Sequence, residues 1–335
     1  MDIHHILINF YIELYSYFIA IYLNREYVDK LYIYIESCCS RMKMTGKNNK
    51  KIGKIMLVTI LAMSFLVVAI FSGCIGTKKD DTSIVVISRE NSSGTREFFW
   101  EQVLNKEDFY ADSIELTSNG EVYATVSTTP QAIGYIGLGY LNSGVKVLKI
   151  DGVAPSSDTI LDNSYPIARE LYMFTKGEAT GIAKDFIDYI MSSEGQEIIE
   201  DAGFVPLSSS EPFNTTNRIT AGNLVISGST TVLPIALAIK DAYSNLFPGL
   251  TFEITGTGSS VGITAVSSDP PAADIGMASR ELKEVEQGKG LVKHIICKDG
   301  IAIIVHPSNN YVPNDDLTMA QLKTIYTSGG DWTEI

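Results

Sequence analysis

The chain has 335 residues, 45% of them apolar and 19% charged, with a formal net charge of -13. This composition excludes a largely disordered polypeptide, and the length suits one two-lobed body or two ordinary domains. The acidity, with no segregated basic stripe, excludes a general nucleic-acid binder, although backbone N–H groups and hydroxyls can still hold a small anion locally.

Met1 to Arg41 is Tyr/Ile-rich and stands upstream of a complete secretory signal. Lys47, Lys50, Lys51 and Lys54 precede an apolar run from Ile55 to Phe71, which ends in Phe71-Ser72-Gly73-Cys74. Basic, apolar and small-residue segments in that order read as an export signal, with an uncleaved membrane helix as the alternative. Either places the body outside the membrane. The ending resembles the lipobox of bacterial-type lipoproteins, which implies Cys74 as the lipid attachment site. Because a secretory n-region is short, Met42 or Met44 is the expected start and 1–41 an extension foreign to the natural protein. The expected partition is a signal segment at 42–74, a polar tether at 75–83 and a body at 84–335.

Within the body, the β-branched run Ile84 to Ser88 predicts a buried parallel strand. Asn91-Ser92-Ser93-Gly94-Thr95 then turns into a helix over Arg96 to Leu104. Strands are expected at Ile133 to Tyr140, Val145 to Ile150 and Leu171 to Thr175, and helices at Gly181 to Met191 and Ser193 to Ala202. Ser208 to Thr220, rich in Ser, Thr and Asn, reads as a loop. A second α/β run follows: strand Leu224 to Ser227, turn 228–231, helix Val232 to Phe247, strand Leu250 to Thr255, turn 256–260, helix Val261 to Val266 and strand Ile275 to Ala278. Alternating β and α predicts open, mainly parallel sheets with ligands at the carboxyl ends of strands.

Three strand-to-helix turns, at 91–95, 228–231 and 256–260, carry glycines and hydroxyls. At a helix N-terminus the first amides lack intrahelical partners, so an oxyanion there gains several N–H donors, and Ser and Thr add O–H donors on short stalks. One such turn alone is better read as helix capping. Three of them, with Arg89 and Arg280 able to supply forked charge-assisted bonds, form a cage for a tetrahedral anion. No GxSxG elbow, P-loop or HExxH helix is present, so no enzyme is expected. The cysteines, Cys38, Cys39, Cys74 and Cys297, offer no zinc spacing, and no metal or cofactor is implied; Cys297 reads as a small buried hydrophobe.

Taken as a set, Gly228-Ser229-Thr230-Thr231, Gly258-Ser259-Ser260 and Arg89 through Ser93-Gly94-Thr95 resemble the phosphate-binding proteins of ABC phosphate importers. Asp274 to Arg280, Lys298 to Ala302 and Ala132 to Tyr135 extend the resemblance over nearly all of 84–335. It implies a type II periplasmic-binding-protein fold, α/β and two-lobed, closing on inorganic phosphate, with a membrane permease as partner and a monomeric body. By the same resemblance Ser229, Thr230, Thr231, Ser259, Arg89, Ser93, Gly94 and Thr95 contact the anion, and Ser279 and Arg280 are expected to join them as ligand-binding residues. Some members carry a proton-accepting aspartate where this chain has Arg280, and Asp299 is the expected replacement. Another oxyanion, or phosphate sensing without transport, is the alternative function. The halves come in permuted order, so that Asp331-Trp332-Thr333-Glu334-Ile335 would lead almost directly into Ile84. One lobe is then expected from about 168–300 and the other from 84–165 with 306–335.

Overall fold

The computed structural model describes residues 82–208 and 211–335. The expectations for 1–41, the signal segment, Cys74 and most of the tether lie outside the described residues.

The chain alternates as its patterning demands. Strand β1 (Val85–Arg89) leads into helix α1 (Gly94–Gln102), whose start is fixed by Ser93: its Oγ accepts the Arg96 N–H. Strand β2 (Ile114–Leu116) and helix α2 (Asn119–Thr128) follow, the latter capped by Ser118 through the Glu121 N–H. The fully buried β3 (Ala132–Gly137) comes next. The segment expected as one strand at 145–150 is two, β4 (Lys146–Val147) and β5 (Lys149–Ile150), because they pair in different sheets. A short helix α3 (Ser157–Leu161) precedes β6 (Ala168–Lys176), α4 (Gly181–Ile190) and α5 (Ser193–Asp201). After the polar loop come β7 (Ala221–Gly228), α6 (Leu233–Leu246), β8 (Gly249–Gly256), α7 (Ser259–Ser267) and β9 (Ile275–Ala278). The chain closes with β10 (Leu291–Val305), β11 (Asp316–Leu317) and α8 (Met319–Ser328).

The strand order is β2-β1-β3-β10-β6-β9-β7-β8, with β4 also on β10. β1 runs parallel to β2 and β3, and β7 runs parallel to β8 and β9. β10 joins these two parallel groups. Its residues Ile301 to Val305 pair antiparallel with β3, and Leu291 to Gly300 pair antiparallel with β6, which itself runs antiparallel to β9. The change of partner at Gly300/Ile301 is matched across the sheet by the passage from Ile167 to Ala168, and the Ile301 N–H donates to the Ile167 carbonyl (2.9 Å).

Apolar burial separates along that line. One core gathers Ile87, Phe99, Tyr135, Ile303, Tyr326 and Trp332, and the other gathers Leu171, Phe186, Ile226, Ile239, Tyr243 and Ile296. Each is a continuous cluster of side chains withdrawn from water, the main stabilising term for its lobe. Cys297 is buried in the second core, and burial holds its thiol well above the usual range. The last described segment packs beside the first: the Ile84 N–H donates to the Gly330 carbonyl (2.9 Å) and the Trp332 N–H to the Thr82 carbonyl (2.8 Å).

Candidate functional site

The turns between strand and helix meet where the two lobes face each other. From the first lobe come Arg89 at the end of β1, Ser93-Gly94-Thr95 at the start of α1, and Asn119 as the first residue of α2. From the second come Ser229-Thr230-Thr231 ahead of α6, Ser259 as the first residue of α7, and Ser279 just past β9. All of these polar side chains are buried. Gly228, which opens the second turn, sits at φ 139°, and a Cβ there would come within 2.2 Å of the Met277 carbonyl oxygen, so only glycine lets β7 and β9 approach this closely.

The lobes are in contact through these groups. Arg89 Nη2 donates to Thr230 Oγ1 (3.1 Å), and the Thr95 and Thr231 hydroxyls lie 3.0 Å apart. Asn119 Nδ2 donates to both Thr230 Oγ1 (3.3 Å) and Thr231 Oγ1 (3.0 Å). The Ser260 N–H reaches the Ser92 carbonyl (3.1 Å), and the Tyr140 hydroxyl donates to the Thr230 carbonyl (2.5 Å). Gly94 is the tightest point of contact. A Cβ on it would lie 2.2 Å from Ser259 Oγ and 2.8 Å from Ser279 Oγ.

Arg89 is almost without exposure, at 1%, and its Nη1 is buried with no hydrogen-bond partner. Its Nε and Nη2 donate to the carbonyls of Leu116 (3.2 Å) and Thr117 (2.8 Å), which hold the fork in place. Burial depresses the Arg89 pKa, and the charge of Arg169 adds to the effect. An unpartnered guanidinium nitrogen in a dry site is costly unless an anion occupies the space beside it.

Two of the expected site residues are paired with other protein groups. The Arg280 fork is spent within its own lobe: Nη1 and Nη2 donate to Glu286 at 2.7 and 2.8 Å, and Nη2 also reaches Ser260 Oγ (3.0 Å). Burial works against ionisation of Glu286, but Arg280 and the Lys283 N–H outweigh it and hold the carboxyl below its ordinary range. Arg280 Nε is buried without a partner. Asp299, the expected proton acceptor, is paired with Arg169, whose Nε and Nη2 donate to it at 3.0 and 2.7 Å, and it also accepts the Leu138 N–H (3.0 Å). Burial pushes the Asp299 carboxyl up, against the pull of Arg169. With both pairs neutralised, Arg89 is the uncompensated cation among these arginines.

Sequence reasoning missed Arg169 and Asn119. Arg169 lies on β6 directly across from Asp299 in the ladder, and its Nη1 donates to Thr95 Oγ1 (3.1 Å) and the Ser279 carbonyl (3.2 Å). Asn119 follows Ser118, and the capping signature of that serine ahead of Glu121 could have placed it at a helix start.

The arrangement can hold a small tetrahedral anion by hydroxyls, helix-terminal amides and one guanidinium. Among the described residues no acidic, histidine and cysteine group could hold a metal ion.

A family model described as a PBP superfamily domain matches residues 66–194 and 214–334. The phosphate-binding protein PstS 2 of Streptococcus agalactiae serotype V is 39% identical over 284 residues, covering 81% of this chain and 94% of that protein. A crystal structure of a phosphate-binding protein of a phosphate ABC transporter from Streptococcus pneumoniae TIGR4 matches with a TM-score of 0.60 and 36% identity, over 76% of this chain and 99% of that one. Both matches run through nearly the whole relative, so those relatives carry the two halves in the order found here. The phosphate-binding protein PstS of Bacillus subtilis is 38% identical over 145 residues, 48% of its length and 42% of this chain.

Proposed function

The chain belongs to the PBP superfamily and, within it, to the phosphate-binding proteins of ABC importers, and from that premise we propose that it captures inorganic phosphate between its lobes and delivers it to a membrane permease. The observation that carries the reading is Arg89 Nη1, buried and unpartnered on a guanidinium whose Nη2 reaches across to Thr230 of the other lobe. An oxyanion there takes the Arg89 Nη1 donors, the first amides of the helices and the surrounding hydroxyls together. The anion is then the element that lets the two lobes close, by hinge motion across the paired crossings at 167/168 and 300/301.

The activity is binding rather than catalysis, and the body works as a monomer outside the cytoplasm. The basic and apolar run ending at Cys74 supports a lipid anchor in the cell membrane, and Cys74→Ser would release the protein from the membrane fraction. The direct test is calorimetric titration of the full chain in detergent with phosphate. Binding that Arg89→Met weakens at least about tenfold supports the reading, since a hydrogen bond to a charged group contributes about 1.5–3 kcal/mol. Failure of the wild-type chain to bind phosphate would overturn it.

A further inference from the structure

The triplet Asn-Xaa-Ser/Thr, with no proline in the middle, is the acceptor pattern for N-linked sugar on exported proteins. It occurs twice in the chain, at Asn91-Ser92-Ser93 and Asn214-Thr215-Thr216. Such a triplet serves only where a transferase reaches both the carboxamide and the hydroxyl two residues on. At the first, Ser93 is 3% exposed and its Oγ already accepts the Arg96 N–H (3.2 Å). The Ser92 carbonyl takes the Ser260 N–H of the other lobe, so a sugar on Asn91 would stand where the lobes close.

The second triplet has neither obstacle. Residues 214–217 are exposed in succession and stand between two fastenings. Ahead of them the Phe213 N–H donates to Glu194 (2.9 Å), and the Phe213 ring packs edge-on against Tyr189. Behind them Arg218 Nη1 donates to Asp185 (2.7 Å) and Asp188 (2.6 Å), with its guanidinium 4.7 Å over the Phe213 ring. Asp185 and Asp188 lie on α4 and Glu194 on α5, so these fastenings seat the loop on the second lobe. Asn214 Oδ1 accepts the Thr216 N–H (2.8 Å), which fixes the carboxamide through its oxygen. Among the described residues no hydrogen bond takes up Asn214 Nδ2 or Thr216 Oγ1.

We propose that Asn214 is an N-glycosylation site, with a lipid-phosphate-linked oligosaccharide as the sugar donor. Asn214 Nδ2 bonds to the anomeric carbon of the first sugar and gives up one proton. The bond from that carbon to the lipid phosphate breaks, and the phosphate oxygen keeps the electron pair. Nothing is oxidised or reduced. The assignment rests on the body lying outside the cytoplasm, and not on what the cleft binds.

The test is mass spectrometry of the protein isolated from the membranes of the cells that make it. Trypsin cuts after Lys184 and Arg218 with no Lys or Arg between them, so Asn214 lies on peptide 185–218, and Asn91 lies on peptide 90–96. Fragmentation is expected to place a sugar on Asn214 and none on 90–96. Asn214→Gln and Thr216→Ala should each remove that sugar, whereas Thr216→Ser, which keeps the hydroxyl, should retain it. A bare Asn214 in the wild-type protein would overturn the proposal. So would a sugar that persists on 185–218 in N214Q, since it would then sit on one of the neighbouring hydroxyls. Phosphate affinity should differ by less than about twofold between N214Q and wild type, as for an exposed substitution. Failure of the phosphate reading would show in that calorimetry and leave the peptide masses as they are, so the two failures are distinguishable.

Discussion

Asp299 receives both of its Arg169 bonds on a single oxygen, Oδ2, from Nε at 3.0 Å and Nη2 at 2.7 Å, which leaves Oδ1 to the Leu138 N–H at 3.0 Å. The pair therefore holds a carboxylate of the second lobe to a backbone amide of the first, one residue before β10 changes partners. Arg169→Met should leave that carboxylate buried and unpaired, and breaking a buried pair from one side costs about 3–5 kcal/mol. The double variant Arg169→Met with Asp299→Leu removes both charges and should recover much of that loss. Urea denaturation of the three proteins checks it, and a double variant as unstable as the single one would show that the pair's charges are not what matters.

Gly94 offers a substitution that separates closing from folding. Its Cβ position lies against Ser259 Oγ of the other lobe, while its backbone has no positive φ, so alanine suits helix α1 when the lobes are apart. Gly94→Ala should leave the unfolding free energy without ligand within about 0.5 kcal/mol of wild type, as for a substitution that disturbs no core. It should weaken phosphate at least about fivefold, because overpacking costs about 1–3 kcal/mol only in the closed form. Calorimetry paired with denaturation tests this, and unaltered affinity would mean that the lobes close less tightly than Gly94 and Ser259 indicate.

The three turns were legible in the sequence because each couples a β-branched strand to a hydroxyl- or glycine-bearing helix start, a signal confined to a few adjacent residues. Ser93 and Ser259 accordingly stand at the starts of α1 and α7. Arg169 and Asn119 were not legible. An arginine in mid-strand gives no local sign of facing a cleft, and only the β6–β10 register sets it against Asp299. The strand β10 escaped notice for a related reason: Lys293, His294 and Lys298 interrupt its first ten residues, and its length reflects two partners that the sequence keeps far apart. Arg280 was misplaced because its counter-charge, Glu286, comes from a 3-10 turn six residues on, with no helical or strand periodicity to connect them.

The Arg280–Glu286 pair predicts an acid dependence of stability. The folded carboxyl titrates below its unfolded value, so its contribution is fully present above the unfolded pKa and is lost as pH falls through the folded one. Glu286→Gln should therefore differ in stability from wild type at neutral pH, and the difference should shrink as the solution is acidified below the ordinary glutamate range. Denaturation midpoints of both proteins across that range provide the comparison. A difference that stays constant with pH would show that the carboxylate's charge is not the stabilising element.

At the mouth of the cleft Lys283 of the second lobe meets Glu97 on α1 of the first at 2.7 Å, with side-chain exposures of 35% and 21%. It is the kind of pair that contributes little, about 0.2–1 kcal/mol, because solvent screens it and ordering two long side chains costs entropy. It spans the lobes, however, and must break before they separate. Lys283→Met should therefore speed phosphate release by up to about fivefold, the rate equivalent of that energy, with the association rate nearly unaltered. The acceleration should fade as salt is raised and the wild-type pair is screened. Stopped-flow release at low and high ionic strength distinguishes this from a packing effect of the lysine stem, which salt would leave in place.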